Sequence, residues 1–124
     1  REGLNLRVVR ENTPGLVAAR CRGIREAGAD LLVFVDDDNF LEPDYLEQAL
    51  RISRGEPGIG AFGGIADAVL QKPIPAWKKD LLPHLGIRDH GPECITQHSD
   101  VWGPWEPIGA GLVCRRDVAR RFVE

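Results

Sequence analysis

The chain has 124 residues, a length that suits one domain and can bury a core. Hydrophobic residues make up 43% and charged residues 28%, which fits a soluble globular chain and excludes an intrinsically disordered one. The 16 basic and 19 acidic residues give a net charge of -3, with none of the clustered Lys and Arg that a nucleic-acid partner requires.

No signal peptide and no apolar run of transmembrane length is visible. The three cysteines, Cys21, Cys94 and Cys114, are an odd number, which argues against a disulfide framework and for a reducing compartment. The chain opens at Arg1, in what reads as the middle of a domain, and it contains no Met. It therefore reads as an excerpt of something longer.

Leu4 to Val9 alternates apolar and polar residues, the pattern of a half-buried strand. Glu11-Asn12-Thr13-Pro14 then turns the chain into a helix, with Thr13 as N-cap and Pro14 as first helical residue. The helix is expected to run to about Ala27, with Gly28 as its left-handed cap and Val17, Cys21 and Ile24 as its apolar stripe. Leu31-Leu32-Val33-Phe34-Val35 is a continuous apolar run and predicts a strand buried on both faces. It ends in Asp36-Asp37-Asp38-Asn39.

Pro43 opens a second helix, with Tyr45, Leu46, Ala49 and Leu50 on one face and a stop at Gly55. Ile59 to Ile65 predicts a Gly-rich strand. Residues 71–107 are rich in Pro, Gly, His and Trp, with one short helix near Ala76 to Leu82. Ile108 to Cys114 predicts a short strand, and Arg115 to Glu124 begins a helix. Such alternation of strands and helices indicates α/β layers around a mainly parallel sheet.

In open α/β sheets ligands gather beyond the carboxyl ends of the strands, which is where the acidic cluster falls. If the backbone stays extended there, Asp36 and Asp38 share one side and Asp37 takes the other. Converging carboxylates repel unless a cation compensates, and Mg2+ or Mn2+ favours such hard oxygen ligands. Mg2+ often uses one or two protein carboxylates and completes its shell with phosphates and water, so this pair fits a metal that carries a diphosphate. The competing reading is a solvated loop whose Asp37 or Asn39 caps the next helix. The buried strand before it and the ordered helix start after it weigh against that.

Several of these segments together resemble family 2 glycosyltransferases. They are Asn12-Thr13-Pro14-Gly15, Ala19 to Ile24, Ala27-Gly28-Ala29-Asp30, Phe34 to Asn39 and Pro43-Asp44-Tyr45-Leu46. Gly109-Ala110-Gly111 and the residues to Arg116 are similar to that family's glycine-rich acceptor-side segment. The resemblance implies a GT-A, Rossmann-like fold with helices flanking the sheet. It implies metal-dependent transfer of a sugar, with inversion, from a nucleotide-diphosphate donor to a hydroxyl of a glycan or lipid-linked acceptor. By position, Asp36 lies near the ribose or metal, Asp38 ligates the metal, and Asp37 is the variable middle residue. Residues 1–70 would be the nucleotide- and metal-binding part and residues 71–124 the acceptor side of one partial domain, truncated at both ends. The setting implied is polysaccharide biosynthesis in the cytoplasm, at the inner face of a membrane, with peripheral association of the parent.

Other candidates carry two readings each. Arg20 borders the stripe of the first helix, where it could meet donor phosphates or snorkel over the sheet edge. Asn12 lines the nucleotide pocket or, as the favoured reading, serves the turn into the helix. Gly109 and Gly111, with Ala110 between them, allow close approach of backbone to sugar or acceptor, or only a tight start to the strand. Trp102 and Trp105 flank that segment and favour an acceptor-cleft role for at least one over ordinary packing. His84, His90, Cys94 and His98 match no common zinc spacing. Trp77-Lys78-Lys79 reads as part of a core-packed helix with a solvated basic side rather than a membrane-surface contact.

The resemblance also marks what this stretch lacks. The family's nucleoside-holding first strand would precede Leu4, and its general base, in a Glu-Asp motif, would lie beyond Glu124. No catalytic base is therefore assigned. A missing first strand would leave an open sheet edge that invites a homodimer. Two rivals remain: a nucleotidyltransferase of related fold, which would need a Gly-rich phosphate loop not seen here, and a non-catalytic nucleotide-sugar-binding or regulatory module.

Overall fold

A computed structural model describes residues 5–70, 72–87, 90–101 and 103–124. In chain order their elements are α1 (Leu16–Glu26), β1 (Leu31–Val33), α2 (Tyr45–Gly55), β2 (Ala61–Phe62), a 3-10 helix (Ala76–Leu85), β3 (Val113–Arg115) and α3 (Arg116–Val123). The strands form one sheet in the order β1-β3-β2. By contacts the chain divides into two compact units, Arg1–Leu32 with Cys114–Glu124, and Val33–Val113.

In the first unit, α1 starts later than the sequence predicts. Gly15 takes φ 119, a conformation that side chains disfavour, so the helix begins after it at Leu16 and neither Thr13 nor Pro14 caps it. The Thr13 N–H is instead accepted by the Glu11 carboxylate at 2.7 Å, which holds that carboxyl below its ordinary value. The helix ends when Ala27 becomes extended, its N–H still bonded to the Gly23 carbonyl at 2.9 Å. Gly28 does not take the left-handed conformation expected of it.

The face of α1 follows the sequence more closely. Ile24 is buried, Arg20 and Cys21 are half-buried, and Arg22 and Arg25 are exposed, while Val17 stays 67% exposed. Helix α3 packs against α1, with Ala119 buried and the Arg25 guanidinium donating to the Val123 carbonyl at 3.1 Å. Asp30 is tied twice to Arg116, through the Arg116 N–H at 2.9 Å and an ion pair at 2.7 Å. Leu4 lies outside the described residues. Residues 5–9 form no strand, and Leu6 and Val8 are 83% and 87% exposed. Alternation alone cannot make a strand without a partner to take its backbone hydrogen bonds.

In the second unit the chain leaves β1 through Phe34, whose N–H donates to the Leu112 carbonyl at 2.8 Å and whose carbonyl accepts the Gly111 N–H at 2.9 Å. Two residues opposing one, with Gly111 at positive φ, is the bulged form of the antiparallel pattern. The α/β class therefore holds, but where these bonds fix direction the described sheet is antiparallel rather than mainly parallel. The physical reason is local: the segment expected to lie parallel to β1 forms no strand, and β3 returns to β1 from the opposite direction. β1 is also an edge strand in this order. Only Leu32 of it is buried and Val35 is 47% exposed, so burial on both faces is not observed.

The strands are shorter than expected, two residues for β2 and three for β3, and the buried apolar set is correspondingly small. It comprises Ile24, Leu32, Ala49, Val113, Cys114 and Ala119 among the described residues. Helix α2 ends at Gly55 as predicted but starts at Tyr45, past the expected Pro43, and of its predicted face only Ala49 is buried, with Tyr45 half-buried. The 3-10 helix spans the predicted position and closes at Gly86, which takes φ 80. It is not core-packed: it has no buried residue, Trp77 is 67% exposed, and the Lys78 ammonium sits 5.2 Å from the Trp77 ring. A tight helix with Pro83 inside it presents no continuous apolar stripe. No described helix is long and apolar enough to cross a membrane.

Candidate functional site

Beyond β1 the chain does not stay extended. Asp37 and Asp38 form the corner of a turn in which the Asn39 N–H donates to the Asp36 carbonyl at 3.2 Å. The alternation of sides expected for an extended Asp36-Asp37-Asp38 therefore does not apply. What the fold supplies is a tight acidic turn between β1 and α2. Asp36 is half-buried, while Asp37 and Asp38 are exposed. The Asn39 amide donates to the Asp38 carboxylate at 3.3 Å, a long bond, and its own Oδ1 is buried with no partner.

The oxygen chemistry of this turn suits a hard divalent cation. Among the described residues no three His, Cys, Asp or Glu side chains gather into a cage for a metal, so Asp36, Asp37 and Asp38 do not enclose an ion by themselves. A cation here would take one or two carboxylates, with an uncommitted amide oxygen nearby, and draw its remaining ligands from water or phosphate. That is the coordination habit of Mg2+. Neither His84, His90, Cys94 nor His98 joins any such group. All three cysteines are free, with Cys94 exposed, Cys21 half-buried and Cys114 buried. Burial, helped by the Asp117 charge, pushes the Cys114 thiol up.

The glycine segment lies at the base of the acidic turn. Gly109 to Leu112 is itself a turn, with Leu112 N–H reaching the Gly109 carbonyl at 3.5 Å, and Gly111 is buried at φ 77. For Gly111 this is the tight start to a strand. Its N–H is spent on Phe34 and its carbonyl accepts the Tyr45 hydroxyl. Ala110 and Gly109 are half-buried. The Trp105 ring lies across Gly103, which is buried, and remains 39% exposed. Trp102 lies outside the described residues. Asn12, exposed, and Arg20, half-buried on α1, belong to the other compact unit.

Sequence reasoning missed Tyr45 as more than an apolar position. Its hydroxyl meets Gly111, and a side chain at Gly111 would press on that hydroxyl. Burial pushes its phenol above the ordinary value, partly offset by hydrogen bonding from the Gly64 backbone. One signal was present: the chain's single tyrosine falls on an apolar helix face, and a buried tyrosine hydroxyl usually finds a partner.

Fold and turn together define an α/β chain with an oxygen-donor loop past the carboxyl end of β1. The sequence model described as "Glycosyl transferase family 2" matches residues 2–122, and the chain belongs to that family. It is also 40% identical over 50 residues to a Bacillus subtilis (strain 168) protein described as "Putative glycosyltransferase EpsH". That alignment covers 40% of this chain and 14% of the relative's length. No solved structure matches the chain.

Proposed function

We propose that this chain contributes the donor-diphosphate site of a glycosyltransferase that moves a sugar from a nucleotide-diphosphate donor to an acceptor hydroxyl with inversion. The observation that carries the reading is the position of the acidic turn, between β1 and α2 of a chain that family 2 matches nearly end to end. Asp38 and Asp36 are the carboxylates that would hold Mg2+ or Mn2+, and such an ion would neutralise charge growing on the departing diphosphate. Asp37, at the corner of the turn, is solvated and borders the donor. Asn39 steadies Asp38 through its amide.

Gly109 and Ala110, backed by the buried Gly111, form the acceptor-side wall, and the exposed part of Trp105 offers an aromatic face to a sugar. Trp102 is assigned to the same wall from the sequence. From the sequence alone, Arg20 is assigned to donor phosphates, and Asn12 keeps its favoured role in the turn into the helix, with the nucleoside as its alternative. Residues 1–70 thus serve the nucleotide and metal, and residues 71–124 the acceptor, a functional division distinct from the two compact units. In the wider protein a mainly parallel GT-A sheet would continue from β1. The acceptor is a glycan or lipid-linked saccharide at a membrane surface on the cytoplasmic side. The acceptor hydroxyl must lose a proton as its oxygen bonds the anomeric carbon, and no residue of this chain is assigned as the base.

Calorimetric titration of UDP and of GDP, each with and without Mn2+, tests the reading. Binding that requires Mn2+ is expected for the nucleotide of the true donor. Binding of neither nucleotide by this chain or by a longer parent, with or without metal, contradicts the site for those donors and favours a non-catalytic regulatory module.

A further inference from the structure

The acidic segment is anchored at both ends to one glycine. On its near side, Phe34 exchanges backbone hydrogen bonds with Gly111 and Leu112 at 2.9 and 2.8 Å. On its far side, Tyr45, the first residue of α2, donates its hydroxyl to the Gly111 carbonyl. Residues 35–44 are therefore a loop whose two stems meet on Gly111. The backbone bonds secure only one stem, and the Tyr45 side chain supplies the tie on the other.

The surroundings are shaped for that side chain. Gly111 sits at φ 77, and a side-chain carbon there would come within 2.9 Å of the Tyr45 oxygen and 3.7 Å of Leu41. A carbon on Gly64 would come within 3.6 Å of the ring. Gly111 thus leaves the space that the tyrosine hydroxyl fills, while Gly64 lies at ordinary contact distance from its ring. The loop it closes carries three adjacent carboxylates, whose mutual repulsion favours an open, spread arrangement.

We propose that the Tyr45 hydroxyl is a positioning group, holding the acidic turn in fixed register with the Gly109–Gly111 turn so that diphosphate binding does not have to order the loop. The inference rests on reading the acidic turn as the donor site. Tyr45 acts through Gly111 and touches neither metal nor donor. Pre-ordering of this kind raises affinity by removing an entropic cost of binding.

Tyr45→Phe, which keeps the ring and removes the hydroxyl, and Tyr45→Leu, which removes both, separate a tie from simple packing. Amide hydrogen exchange is compared in the wild-type and variant chains, alongside titration of UDP and GDP with Mn2+. Tyr45→Phe is expected to speed exchange across residues 35–44 about fivefold, the size of one net hydrogen bond, and to leave Ile24 and Ala119 unchanged. It is expected to weaken Mn2+-dependent nucleotide binding by about the same factor. If Tyr45→Phe matches wild type and only Tyr45→Leu loses order and affinity, ring packing is the whole role and the proposal is overturned. Faster exchange throughout the chain also overturns it. A loosened loop with undiminished affinity overturns the link to binding. If wild type binds neither nucleotide, the donor-site reading fails on its own account, and the exchange comparison still decides the tie.

Discussion

The Asn39 amide group donates to the Asp38 carboxylate at 3.3 Å while its own Oδ1 stays buried and unpartnered, so the side chain that steadies the carboxylate is itself half satisfied. Neighbours that orient a metal ligand change metal affinity by roughly 10- to 100-fold when removed. Asn39→Ala is expected to weaken Mn2+-dependent nucleotide binding about 10-fold. Asp38→Ala, which removes a proposed ligand outright, is expected to weaken it by more than about 100-fold, and Asp37→Ala by less than about threefold. Calorimetry on the three variants checks the order. Asp37→Ala costing most would reassign the ligands.

Gly111 faces two separate constraints, and they can be measured apart. An alanine there would occupy φ 77 and approach the Tyr45 hydroxyl to 2.9 Å. Backbone strain alone costs about 1–2 kcal/mol for a residue with a side chain. Gly111→Ala is expected to destabilise the chain by about 2–3 kcal/mol in chemical denaturation. In the Tyr45→Phe background the crowding term is relieved and the cost should fall toward the strain alone. Strict additivity in this cycle would show that the two residues do not meet.

The lone tyrosine makes its ionisation readable in a titration of tyrosinate absorbance. Burial raises the Tyr45 phenol above its ordinary 10.0. In the unfolded chain the phenol ionises at the ordinary value, so its contribution is intact below about pH 10 and is lost as pH rises through the raised folded value. The wild-type chain should lose stability over that alkaline range, and Tyr45→Phe should remove that part of the slope. A native titration midpoint at or below 10.0 would contradict burial of the hydroxyl.

The cysteines should react in the order of their exposure. Cys94 is exposed, whereas Cys114 is 8% exposed with a raised thiol. Thiolate is the reactive form, so a disulfide reagent should label Cys94 first and Cys114 last, with Cys114 released on denaturation. Equal rates in the native chain would show that β3 is open.

The elements legible in the sequence were those written in local terms. Helix α2 ended where Gly55 marks it but began past Pro43, at Tyr45, and β1 began where the apolar run does. The start of α1 was misplaced because Thr13 and Pro14 are good capping residues, yet the backbone at Gly15 decides. Sheet direction was not legible: the run Leu31 to Val35 says that a strand forms, not which strand will pair with it. The acidic turn was visible from composition and position. Its tie to Gly111 was not, because Tyr45 and Gly111 lie 66 residues apart and neither sequence context names the other.

The central claim is that Asp36 to Asn39 carry a metal-bound diphosphate. The most direct measurement is paramagnetic broadening of assigned amide resonances when Mn2+ is added with UDP or GDP. The account predicts that signals of residues 36–39 are lost first, only when nucleotide and metal are both present, and that Asp38→Ala abolishes the effect. Broadening centred elsewhere, or unchanged in Asp38→Ala, would contradict it.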